Sequence, residues 1–255
     1  MNLMMNDFFI GVHYFINGFS LITQPGMKRF VIVPTIINII FFIGLFLISQ
    51  HYLHAFNAWV SGFLPAWLHW LVFLIWILFF ISFFLIFIFT FVTFANLLCA
   101  PFNSFLSEKI EILLTGKIPE YRSLYDNIKD IPRIVGRQLI ILGFYLPRAL
   151  LIVILFFIPV IQLLAPIIWF LFHAYMITLT YIDYPTDNHR IPMDQVRAHL
   201  KAKILKTMGF GASVLVASMI PFLNFFTISA AVAGATQFWI DEGRLKVVDK
   251  SRAKK

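Results

Sequence analysis

FVIVPTIINIIFFIGLFLISQHYLHAFNAWVSGFLPAWLHWLVFLIWILFFISFFLIFIFTFVTFANLLCAPFNSFLS, residues 30–107, runs 78 positions without an Asp, Glu, Lys or Arg, and the pair Lys28-Arg29 stands directly before it. A hydrocarbon core about 30 Å thick takes about 20 apolar residues per helical crossing, so the stretch has room for two crossings and a connection. No water-facing surface can be built from such a run. The first charges mark where the chain enters a membrane.

Composition outside that stretch agrees. Of the 255 residues 60% are hydrophobic and 31 are Phe, and the mean hydropathy is +0.87, which excludes an ordinary soluble domain. The net charge of +8 does not indicate nucleic acid, because Lys and Arg fall in blocks between the apolar runs, where they act as topology signals and lipid headgroup contacts. The single cysteine, Cys99, excludes an intramolecular disulfide and reads as a buried small hydrophobe. With Asp7 and no basic segment ahead of an apolar core, the N-terminus does not read as a cleavable signal peptide. Phe8, Phe9, Val12, Phe15, Ile16 and Phe19 recur at helical spacing, so residues 1–24 are expected to form an amphipathic helix lying at the interface.

Uncharged stretches cover 30–107, 149–182 and 207–240. The segments 109–148, 183–206 and 241–255 carry seven, five and six Lys or Arg, whereas Gln50 to Ala66 has none. Basic loops stay in the cytoplasm, so all three stretches are expected to be hairpins that return to that side, the first crossing through about Phe30–Ile48 and Leu68–Ala95. The other two are 34 residues each. Split by a turn, each arm would be about 15 residues or roughly 22 Å, short of a full crossing. Breaks are expected at Pro159–Pro166 and Pro221–Asn224. Partial insertion is therefore favoured over ordinary double crossings, although Leu139–Leu146 could lengthen the first arm. Hairpin tips inside a bilayer must face protein or water, which implies a homo-oligomer or an aqueous cavity. The fold expected is thus an all-α integral membrane domain over 1–255, with an interfacial helix (1–24), a spanning hairpin (30–107), two partly inserted hairpins (138–182 and 207–240) and a basic cytoplasmic tail (241–255).

Chemistry concentrates in Gly18-Phe-Ser-Leu-Ile-Thr-Gln-Pro25-Gly26-Met27-Lys28-Arg29-Phe30. Pro25 suits a first helical turn and Gly26 admits a ligand close to the backbone, so the amides of Gly26, Met27 and Lys28 are expected to converge on one spot. A helix N-terminus adds about half a positive charge to the two carried by Lys28 and Arg29. Two readings stand: an anion site, or a headgroup anchor.

That segment through Pro34 and Asn38, together with Ala100-Pro101-Phe102-Asn103-Ser-Phe-Leu-Ser-Glu108-Lys109 and Asp183-Tyr184-Pro185, resembles the CysZ-type bacterial sulfate permeases. The resemblance implies sulfate binding at Gly26, Met27, Lys28 and Arg29, although members more often carry Leu and Arg at the second and third of these positions. It also implies long spanning helices beside partly inserted hairpins, and sulfate uptake across the inner membrane for cysteine biosynthesis. The alternative is a membrane scaffold or assembly factor without flux.

Arg148, inside Leu146-Pro147-Arg148-Ala149, and His173, mid-run beside Tyr175, are candidates for a pathway or proton-linked role, against snorkelling and a satisfied core histidine respectively. Asp183, Asp187 and His189 have residue types suited to a metal or acid–base site, but Pro185 and Pro192 mark a loop whose charges are expected to be solvated. Neither catalysis nor a cofactor or metal is expected, and no ATP-binding loop is present in the sequence.

Overall fold

The computed structural model describes residues 2–63, 69–116 and 124–243, and they are helical almost throughout. Eight α-helices follow in order: α1 (Asn2–Ile22), α2 (Arg29–Phe63), α3 (His69–Thr115), α4 (Leu124–Leu155), α5 (Ala165–Asn188), α6 (Met193–Ala202), α7 (Ile204–Ser218) and α8 (Pro221–Glu242), with a short 3-10 turn at Ile161–Leu163. Four of them contain stretches long and apolar enough to cross a membrane: Arg29–Leu53, Val135–Leu155, Ala165–Asn188 and Phe222–Glu242. This is an all-α membrane protein. Leu68 and residues 244–255 of the expected basic tail lie outside the described residues.

The chain divides into two compact units, Val33–Cys99 and the remainder. Within Val33–Cys99 the facing sides of α2 and α3 are joined by rings: Phe41 stacks on Phe91, Phe42 meets Phe87 and Phe91 edge-on, and Phe56 stacks on Phe79. Their outer faces stay bare, with Ile40, Leu47, Phe73 and Leu85 all exposed. Lipid is as apolar as these side chains, so leaving them uncovered costs nothing in a bilayer. Cys99 is buried, as its setting suggested, 3.5 Å from the Asn38 amide nitrogen.

The other unit is built on close approach. A side chain at Gly18 would place its Cβ 2.0 Å from the Ala230 carbonyl oxygen, and one at Gly234 would come 2.3 Å from that of Tyr14, so α1 and α8 touch backbone to backbone. Gly11 and Gly209 do the same for α1 and α7. Small residues permit this packing where no hydrophobic force drives helices together. Around it lie Tyr14 stacked on Phe238 and Phe15 edge-on to Phe210. The amphipathic helix α1 is thus packed along one side against α7 and α8. Its buried side is Gly11, Tyr14, Phe15, Gly18 and Ile22, while Phe9 and Ile16 of the apolar set point outward.

Breaks fall where the prolines placed them. α4 stops at Leu155, Pro159 follows, and α5 opens with Pro166 in its first turn. α8 begins at Pro221. Proline suits a first turn because the amide it lacks has no intrahelical partner there. Arm lengths differ from expectation, since α4 runs 32 residues through Pro132 and Pro147 and the part from Val135 is itself long enough to cross. Arg148 is accommodated in it by donating to the Phe144 carbonyl at 2.7 Å and lying over the Phe144 ring.

Candidate functional site

The segment between α1 and α2 forms a tight turn. The Met27 amide donates to the Gln24 carbonyl at 3.1 Å, with Pro25 and Gly26 between them and Gly26 at φ +85°. Pro followed by a positive-φ Gly is the pattern of a type II turn. Thr23 fastens the exit of α1 by donating its hydroxyl to the Ser20 carbonyl at 2.7 Å. Met27 is buried in the core cluster, and this anchors the turn.

Anchoring one residue turns its neighbours outward. Lys28 and Arg29 are exposed, and among the described residues neither meets a carboxylate. Arg29 lies 5.0 Å from the Phe30 ring centroid. The amides of Phe30, Val31 and Ile32 are taken by the Met27 and Lys28 carbonyls, whereas no backbone acceptor among the described residues meets those of Gly26, Lys28 and Arg29. The free set thus differs from the expected one by an exchange: Met27 spends its amide closing the turn, and Arg29 contributes one instead. A Cβ on Gly26 would meet nothing within 4 Å, so the space beside it is open. Two cations and three amides without a backbone acceptor among the described residues thus fall within residues 26–29 at a helix N-terminus, and all of them are donors.

His173 and Arg148 sit elsewhere. His173 is boxed by Tyr145, Trp169 and Phe172, with Nε2 3.0 Å from the Tyr145 hydroxyl and Nδ1 3.2 Å from the Trp169 carbonyl oxygen. Both ring nitrogens are engaged.

The segment read as a solvated loop is one only at its end, where residues 189–192 lie outside the helices and His189 is exposed. α5 continues through Pro185 to Asn188, and Asp183 and Asp187 are 1% and 5% exposed. Arg137 pairs with Asp183 at 2.8 Å and Arg133 with Asp187, which is what holds two carboxylates away from water. His189 faces both carboxylate oxygens of Glu111 at 2.9 Å. Among the described residues no group of His, Cys, Asp and Glu has the arrangement of a metal site. The polar residues after Pro101 are used for packing as well: Asn103 donates to the Tyr184 hydroxyl, Ser104 to Asn188, and Ser107 accepts from Thr236.

Residues 14–229 match the family model described as Sulfate transporter CysZ/Etoposide-induced protein 2.4. The chain belongs to this family. Curated relatives named Sulfate transporter CysZ include one from Salmonella typhimurium, 44% identical over 242 residues that cover 92% of this chain and 94% of that one. A relative from Salmonella typhi is 43% identical over the same coverage. The family match begins inside α1 and includes the Gly26–Arg29 turn, α2 to α7 and the first part of α8.

Proposed function

We propose that this protein carries sulfate across the bacterial inner membrane as a multi-pass permease supplying cysteine biosynthesis, working as one integral membrane domain, and that Gly26, Met27, Lys28 and Arg29 form its sulfate site. Met27 acts by anchoring the turn, and the other three supply donors. The observation that carries the assignment is the exposed Lys28-Arg29 pair, beside three amides, with neither a carboxylate for the pair nor a backbone acceptor for the amides among the described residues. Sulfate is fully deprotonated at neutral pH and only accepts hydrogen bonds, whereas hydrogen phosphate must also donate one. A donor-only site leaves that proton unpaired and so discriminates against phosphate. Lys28 lacks the two-pronged fork of Arg, so Lys28→Arg should preserve or strengthen binding.

Entry of a dianion against an inside-negative potential costs about 4.6 kcal/mol per 100 mV. Net uptake therefore needs rapid consumption inside or coupling to a proton. Arg148 and His173 are the pathway candidates, the connection around Gln50 to Ala66 is assigned to the outer side, and the second and third hairpins insert partway in a homo-oligomer surrounded by lipid.

The test is radiolabelled sulfate flux into liposomes holding this protein alone, with and without an imposed pH gradient, paired with calorimetric sulfate binding. Flux should exceed that of empty vesicles. Arg29→Ala removes a charge and several donors, at about 1.5–3 kcal/mol per charged hydrogen bond, so affinity should fall roughly ten- to a hundredfold. Gly26→Val should weaken binding without changing charge, since a β-branched residue resists the φ of +85° that the turn uses. Parent-like sulfate binding in both folded variants would leave the pair as a headgroup anchor.

A further inference from the structure

Charged side chains on the helices of the larger unit mostly occur in matched sets. Arg133 and Arg137 meet Asp187 and Asp183, and Lys203 and Lys206 meet Glu242. Arg148 on α4 and Arg197 on α6 do not follow this rule: among the described residues neither has a carboxylate within ion-pair distance. Yet they converge. The Arg148 guanidinium carbon is 3.5 Å from the Phe144 ring centroid and that of Arg197 is 4.8 Å from the same centroid, so the two lie no farther apart than the sum of those distances. Like charges brought together repel, and although the Phe144 ring faces both and the Phe144 carbonyl accepts from Arg148, among the described residues no carboxylate neutralises either one.

A third group completes the picture. The Tyr175 hydroxyl on α5 is buried and, among the described residues, has no hydrogen-bond partner, and Arg197 and Arg148 are the charges nearest to bear on it. A buried hydroxyl left unpaired is costly and uncommon. The neighbouring polar atoms do not fill the role, because the Tyr145 hydroxyl and His173 are paired with each other and His173 also with Trp169. Two guanidinium groups, which can only donate, and a phenol that can donate its proton thus face one region, and Arg148 is exposed while Arg197 is half-buried, so the cluster is open to an incoming group.

We propose that Arg148, Arg197 and Tyr175 form a second oxyanion site, separate from the Gly26–Arg29 turn, which takes a sulfate or phosphate group with at least two acceptor oxygens. Such a group neutralises the facing charges, uses the guanidinium forks in pairs of hydrogen bonds and accepts from the Tyr175 hydroxyl. The same chemistry is carried by free sulfate and by an anionic phospholipid headgroup. Arg148 reaches either by releasing the Phe144 carbonyl.

The experiment uses the full chain, purified in neutral detergent, with Arg29→Ala as background so that the first site does not contribute. One arm titrates sulfate and phosphate against chloride at constant ionic strength and follows the melting temperature. The other measures, by native mass spectrometry, how much phosphatidylglycerol is retained relative to phosphatidylcholine after add-back. The Arg148→Gln/Arg197→Gln double variant should lose at least tenfold in affinity in the arm that reports the natural ligand, and Tyr175→Phe should lose severalfold in the same arm. Loss of sulfate or phosphate stabilisation names a free anion, and loss of phosphatidylglycerol retention names a lipid; either supports the site. If the double variant does not fold, Arg197→Gln and Tyr175→Phe decide. Affinities and retention equal to the background protein in both arms would overturn the proposal while leaving the Gly26–Arg29 assignment untouched.

Discussion

Hairpins α4–α5 and α7–α8 look alike as sequence, since each contains a 34-residue uncharged stretch with one or two prolines near its middle and basic residues on both sides. In the folded protein they part company. Of the apolar stretch in α4 only 11% is buried, against 61% in α8. The two tips are alike, with Phe157, Val160 and Leu163 exposed in the first and Met219 and Phe222 in the second, but Ala230 to Ala233, deeper in the second, are sealed. The difference follows from side-chain size. α8 carries Ala230-Ala-Val-Ala-Gly-Ala235, which lets α1 settle against its backbone, while residues 150–158 at the end of α4 and just beyond are Leu, Ile, Val and Phe throughout. Hydropathy decides which helices can enter a bilayer. Residue size decides which of them then find a protein neighbour instead of lipid.

The strongest way to break that comparison is Gly18→Leu. Its Cβ alone would collide with the Ala230 carbonyl, so α1 must leave α8, at a cost on the order of 5 kcal/mol and with loss of a monodisperse folded species on gel filtration. Phe157→Leu, at an exposed tip position, is the matched control and should shift stability by no more than about 0.5 kcal/mol. Melting of Gly18→Leu within a degree or two of the control would show that α1 does not hold the third hairpin.

Arg137→Leu probes what holds the first hairpin instead. It strands the buried Asp183 carboxylate, and breaking a buried pair from one side costs about 3–5 kcal/mol. Removing both charges, as Arg137→Leu/Asp183→Asn, should recover more than half of that loss in thermal melts. Equal melting temperatures for the single and double variants would remove the ion pair from the account.

The smallest expected effect sharpens the picture of the tip. Val160 sits at φ 71°, ψ −51°, a region unfavourable for a β-branched residue. Val160→Gly should relieve that strain and raise stability by about 1 kcal/mol, since no protein neighbour is lost at a residue this exposed. A fall in melting temperature would mean that the side chain contributes contacts from lipid or another subunit.

The membrane class, the all-helical fold and the two interior breaks were legible because each depends on local properties: the length of an uncharged run and the missing amide of a proline. The exposed Lys28-Arg29 pair was legible for the same reason, since Pro25-Gly26 specifies its own turn. Which amide would be spent closing that turn was not, because it depended on which residue the core would anchor.

By itself, then, the sequence determined that this chain lives in a membrane, where its helices break, and that a donor-rich turn precedes α2. Tertiary structure alone decided that α1 is a packed helix, that Asp183 and Asp187 are buried with Arg137 and Arg133, and that Arg148 shares a ring with Arg197. Each of these pairings joins residues dozens to hundreds of positions apart. Hydropathy and turn chemistry act over a few residues and can be read along the chain, whereas ion pairs and glycine contacts require both partners to be brought together by the fold.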